Sequence, residues 1–202
     1  MVDIIPHGNF KGNVKPRRKK QIILCHTSRE VSEYLTSLKF RYNGNYDKIP
    51  NYIITREGKI LELINPKFST NFFGVESMDK EGISVCLENL GWLNKKPLSS
   101  HYLNWLGNIY KEEVYEKKWR DYIFWHPYTD EQINSTVSLC KKICQEMLIP
   151  SEFIGHNVKV DGVENFKGVV SRSNYHQRYT DLNPSFNFQK FKKELEYEQL
   201  HE

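Results

Sequence analysis

Apolar residues recur along the chain in short runs with two different periods, and their order outlines an α/β fold. Residues 21–25 (QIILC) form a continuous apolar run that ends at His26, the pattern of a strand buried on both faces. Ser28 follows in position to cap a helix on which Val31, Tyr34, Leu35 and Leu38 recur at helical spacing. Residues 52–64 (YIITREGKILELI) read as a β-hairpin. Two β-rich runs flank Arg56, Glu57, Gly58 and Lys59, and Gly58 supplies the positive φ of a tight turn. Residues 82–90 (GISVCLENL) make a further strand. Thr129, with Gln132 three residues on, is a capping box that opens a helix carrying Ile133, Val137, Cys140, Ile143, Cys144 and Met147, and Pro150 ends it. A short strand then leads through Phe153 and Ile154 into Gly155 and His156, a long loop runs through Asp181, and a last helix starts near Gln189.

This order predicts an α/β fold: a single domain with a mixed central β-sheet flanked by helices. Residues 1–20 read as a basic N-terminal arm, 21–192 as the domain, and 193–202 as the end of the C-terminal helix and a tail. Residues 91–128 are an aromatic-rich insertion between core elements. Most of its aromatics are expected to form a packed sub-core over one sheet edge, with Trp92 and Trp125 the candidates for a ligand groove.

Composition changes the picture in three places. The net charge of +4 is concentrated: residues 11–20 carry six Lys and Arg and no acid, while the rest holds 23 basic and 25 acidic side chains. A basic arm of this kind suits an anionic partner or remains a solvated tail. Cys25, Cys86, Cys140 and Cys144 lie in apolar or helical positions and read as buried, reduced thiols rather than a disulfide framework. No signal peptide and no membrane span of 18 apolar residues is expected, which implies synthesis in the cytoplasm of the host or producing cell.

Two of the seven histidines have a chemical setting. His26 and His156 each follow a strand, and strand ends are where α/β sheets collect ligands. A single histidine in such a place is commonly a satisfied structural residue, and spacing alone names no third metal ligand.

Six segments in order resemble the zinc-dependent N-acetylmuramoyl-L-alanine amidase family, which includes phage lysozyme-type amidases and peptidoglycan recognition proteins. They are Ile22 to Thr27, Tyr52 to Ile64, Gly82 to Gly91, Tyr128 to Gln132, Phe153 to His156, and Thr180 to Phe186. The match runs from about residue 21 to 192. The resemblance implies Zn²⁺ held by His26, His156 and Asp181, an open fourth position, and hydrolysis of the amide between N-acetylmuramic acid and L-alanine in peptidoglycan. It further implies a phage-type lysin that reaches the wall after release, acting as a monomer on peptidoglycan or muropeptide.

The chain departs from the family pattern at several positions. Where many members have a strand glutamate this chain has Cys86, and Glu88, on the same strand face, becomes the candidate general base. Where a lysine often precedes the third ligand stands Tyr179, after Arg178; either is a candidate oxyanion donor, with Arg172 and His176 further candidates for substrate contact. Pro50 and Asn51 stand where a Tyr or His is frequent, and Asn51 is a candidate substrate contact. These departures keep open a non-catalytic peptidoglycan-binding module of the same fold, or a regulatory or nucleic-acid-binding protein using the basic arm.

Overall fold

The computed structural model describes residues 3–7, 13–97 and 100–197. Part of the basic arm, including Lys11 and the side chain of Lys15, and residues 198–202 of the tail lie outside them. In chain order the elements are β1 (Ile4–Pro6), β2 (Asn13–Pro16), β3 (Gln21–His26), α1 (Val31–Phe40), β4 (Tyr52–Ile54), β5 (Ile60–Glu62) and β6 (Phe68–Ser69). There follow α2 (Glu76–Glu81), β7 (Gly82–Leu87), β8 (Trp92–Lys95), β9 (Tyr102–Leu103), β10 (Ile109–Tyr110), β11 (Tyr115–Trp119) and β12 (Tyr122–Trp125). Finally come α3 (Asp130–Met147), β13 (Gly168–Ser171) and α4 (Phe188–Glu196).

Six strands build the central sheet in the order β1-β5-β4-β7-β3-β13, with β4 and β5 antiparallel and the other pairs parallel. All six residues of β3 are buried, and their alternation divides the core in two. Ile22 and Leu24 pack with Ile133, Val137, Cys140 and Ile143 of α3 and Phe191 and Leu195 of α4. Ile23 and Cys25 face the opposite layer, with Leu38 of α1, Met78 of α2 and Val163. The sheet is therefore covered on both faces, as parallel strands require.

The Thr129–Gln132 capping box is formed, with Thr129 Oγ1 accepting from Gln132 N at 3.1 Å and Gln132 Oε1 accepting from Thr129 N at 3.2 Å. The 52–64 hairpin is also formed, with Gly58 at φ +79°. The insertion makes a second sheet of its own, antiparallel in the order β10-β9-β8-β12-β11.

Two local expectations differ. Helix α1 starts at Val31, and Ser28 does not cap it: Ser28 sits at φ +58° and turns its N–H and hydroxyl onto His26 Nδ1, at 3.1 and 3.0 Å. The cap of α1 comes from across the sheet, where Glu88 Oε1 accepts from Val31 N at 2.8 Å. The second difference is the strand beside β3. Residues 153–156 contribute one bridge, Phe153 to Val169, and the strand is β13, inside what reads in the sequence as a loop.

In the arm, Lys19 is a buried anchor rather than a solvated charge. Its Nζ donates to Lys80 O and Gly82 O, both at 3.1 Å. Burial pulls its pKa down to about 8 against the opposing pull of Asp79.

Candidate functional site

The register of the parallel strands decides which residues meet. Ser171 pairs with Leu24, so Arg172, one residue beyond β13, lies level with Cys25 and beside His26 at the end of β3. Phe153 bridges Val169 on the far side of β13, and Gly155, at φ +83°, turns the chain before His156.

Asp181 is brought in by its own backbone. Ser171 Oγ donates to Asp181 O at 2.5 Å, Ser173 N donates to the same carbonyl at 3.0 Å, and Leu182 N donates to Ser171 Oγ at 2.9 Å. Thus fixed, the Asp181 carboxylate accepts from His26 N through Oδ1 at 2.8 Å. The same Oδ1 lies 3.3 Å from His26 Nε2, and Oδ2 lies 3.7 Å from Arg172 Nη1. His26 and Asp181 are both buried, while the Arg172 side chain is 25% exposed.

The hydrogen bond from Ser28 settles the tautomer of His26. A backbone amide only donates, so Nδ1 is the acceptor and the neutral ring carries its proton on Nε2. That N–H reaches no acceptor, because Asp181 Oδ1 is near but out of line. Arg172 Nε is a second buried donor without a partner. Burial lowers the His26 pKa, against the opposing effect of Asp181. Burial also acts to lower that of Arg172, but Asp181 and then Cys25, Tyr179 and Cys86 raise it above the ordinary value. At neutral pH the His26 imidazole is therefore neutral and Arg172 a permanent cation.

The walls come from several elements. Gly91, at φ +79°, backs onto the imidazole: a Cβ there would lie 3.1 Å from His26 Cε1. From the insertion, Trp105 Nε1 donates to Ser28 O, and Arg29 lies over the Trp105 ring at 5.0 Å. Arg120 donates to Gln177 O and Tyr179 O and so holds the loop that carries Tyr179, whose ring lies 4.0 Å from the Arg172 guanidinium carbon. Behind the site the Cys25 and Cys86 thiols are 2.6 Å apart, and burial followed by this bond pushes the Cys25 thiol well up.

The structure thus brings His26, Asp181, Arg172 and Tyr179 together. It does not bring in His156, whose side chain is exposed and whose Nδ1 accepts from Val158 N at 3.3 Å. Glu88 is committed elsewhere, to the N–H groups of Val31 and Arg56 at 2.8 and 3.0 Å. Asn51 is fully buried, exchanging hydrogen bonds with Ser84 and donating to Ile64 O at 3.1 Å. Trp125 is fully buried, with Nε1 donating to Lys117 O at 2.8 Å. Trp92 is half-buried and stacked on Tyr122 at 4.7 Å. Arg178 and His176 are exposed, with Arg178 N donating to His176 Nδ1 at 3.0 Å. Among the described residues, no three His, Cys, Asp or Glu side chains converge to hold a metal ion. Sequence reasoning did not single out Ser171, Gly91, Trp105 or Arg120; only the glycine carried a signal, a turn residue directly after a strand.

No curated protein matches this chain. Among solved structures, it is similar to the endolysin N-acetylmuramoyl-L-alanine amidase LysCS from Clostridium intestinale, with TM-score 0.57, 11% identity and 96% of each chain covered. It is also similar to the N-acetylmuramyl-L-alanine amidase AmiD from E. coli, solved with anhydro-N-acetylmuramic acid-L-Ala-D-γ-Glu-L-Lys. There the TM-score is 0.54 and the identity 16%, over 91% of this chain and 60% of that one. At such identities these likenesses establish the fold. The family model described as N-acetylmuramoyl-L-alanine amidase matches residues 15–172, most of the chain, and the chain belongs to that family.

Proposed function

We propose that this chain takes the muramyl-peptide part of peptidoglycan at the His26–Asp181–Arg172 cluster and hydrolyses its amide bond. The observation that carries this reading is the Arg172 guanidinium, 3.7 Å from Asp181 and beside His26. Two buried donors, His26 Nε2–H and Arg172 Nε–H, lack acceptors. An unpaired buried donor costs about 1–3 kcal/mol, so both are groups that a ligand carbonyl or carboxylate would satisfy. Muropeptides carry both kinds of acceptor.

A catalytic zinc does not fit this arrangement. Three protein ligands with free lone pairs are needed. The Ser28 hydrogen bond occupies His26 Nδ1 and leaves Nε2 protonated, His156 is exposed with Nδ1 accepting from Val158 N, and Arg172 has donors only. Amide hydrolysis is favoured by family membership and by the buried His26–Asp181 pair, and a non-catalytic binding module is the second reading. A zinc-dependent form of the reaction would hold the metal with His26, His156 and Asp181 for Lewis-acid chemistry, in a lysin released from the cytoplasm to the wall. It requires His156 to swing inward and Arg172 to release Asp181.

The test is incubation with purified peptidoglycan and soluble muropeptides, reading bound protein, free amino groups and reducing ends together. New amino groups without new reducing ends, weakened in Arg172→Ala, are expected. Binding without new amino groups would overturn hydrolysis and leave the binding module. Neither binding nor release would remove peptidoglycan as the target.

A further inference from the structure

We infer that Arg172 is an internal replacement for the metal: its guanidinium neutralises Asp181 in the place where a divalent cation would sit, so the wild-type chain holds this site together without taking up zinc. The inference concerns the same site as the proposed function but is read without any peptidoglycan, so the two can fail separately.

Position, chemistry and surroundings support it independently. In position, the register sets Arg172 at the mouth of the strand adjacent to His26, and its Nη1 faces the Asp181 Oδ2 left free when Oδ1 takes His26 N. In chemistry, a guanidinium has five donors, no lone pair and a charge that does not titrate in the working range, so it satisfies a carboxylate and cannot ligate a metal. A zinc ion bound to the same carboxylate would meet this fixed positive charge at close range in a largely buried site, where screening is weak. In surroundings, Tyr179 lies over the guanidinium at 4.0 Å and Phe73 at 5.8 Å, an aromatic pair that suits a planar cation. Arg120 in turn holds the Tyr179 carbonyl, so the lid over Arg172 is itself tied down from the insertion.

Zinc content and thermal stability test this directly, on wild type, Arg172→Met, Asp181→Asn and the double variant Arg172→Met/Asp181→Asn. Wild type is expected to carry no zinc after dialysis against micromolar zinc, and to keep its Tm whether zinc or a chelator is present. Arg172→Met leaves buried Asp181 without its cation, and the Tm is expected to fall by about 6–20 °C. Adding Asp181→Asn is expected to recover much of that loss, because both partners are then gone. The double variant keeps the test informative if the single one folds poorly. One zinc per wild-type chain, with a Tm that drops on chelation and a zinc content lost in His156→Ala, would overturn the inference. So would additive losses in the double variant, since Arg172 and Asp181 would then be uncoupled.

Discussion

Glu88→Gln separates a structural carboxylate from a catalytic one. Strand alternation makes Glu88 a candidate general base, but its two oxygens are each taken by a backbone N–H, Oε1 by Val31 and Oε2 by Arg56. Val31 is the first residue of α1, whose N-cap residue Glu30 makes no side-chain cap, so Glu88 is the anion at that helix N-terminus. Glutamine keeps one acceptor oxygen and presents an NH₂ group to the other N–H, leaving a donor facing a donor. Loss of one charge-assisted bond and stranding of a half-buried N–H cost about 1–3 kcal/mol. For a domain of this size that is a Tm lower by roughly 2–12 °C. Thermal denaturation followed by circular dichroism measures it, with muropeptide binding measured below the transition, where it should match wild type. A Glu88→Gln protein that melts with wild type yet loses function would refute this reasoning and restore Glu88 to the chemistry.

Three further outcomes follow from the same hydrogen bonds and burial. Trp125→Ala should cost about 3–5 kcal/mol, because the ring is fully buried against Trp119 and Tyr122; a loss below about 1 kcal/mol in denaturant titration would return Trp125 to the surface. Asn51→Ala strands Ser84 N and Ile64 O in the core and should lower stability by about 2 kcal/mol or more, without changing ligand affinity measured by calorimetry on the folded protein. Burial, then Arg56 and His26, holds the His126 pKa down to about 3, below its unfolded value. The unfolded chain therefore binds the extra proton first, and stability is lost as pH falls from about 6.5 toward 3, about 2 kcal/mol by pH 5. His126→Asn, which keeps an acceptor for Leu90 N, should flatten that part of the urea midpoint profile, and an unchanged slope would contradict the assignment.

Local signals carried most of the fold. The Thr129 box, the Gly58 turn and the apolar run into His26 each name their element because the stabilising interaction lies within a few residues of it. Elements whose partners are distant were not legible in this way. Helix α1 begins where a glutamate 57 residues away supplies the cap, so Ser28, with the right side chain in nearly the right place, was the natural misreading. Strand β13 has only Val169 and Val170 as β-formers, and it is a strand because β3 offers it a parallel edge. Phe153 and Ile154 before Gly155 and His156 look more like a strand ending in a ligand than β13 does, yet they make a single bridge on its outer side.

That lateral order accounts for what was and was not readable in the site. Spacing along a chain says that a histidine follows a strand; it does not say which strand lies next to β3. β13 lies between β3 and the Phe153 bridge, and Arg172, just past the end of β13, takes the position beside His26. His26 needs no such information, because β3 is central and its end is the site. Asp181 needs little, since it sits nine residues beyond Arg172 in the loop that Ser171 staples back. Cys86, whose thiol shares a hydrogen bond with that of Cys25, closes the face of the core where a strand carboxylate is frequent. Tyr179, where an oxyanion-binding lysine would add a second positive charge beside Arg172, instead offers the guanidinium an aromatic face.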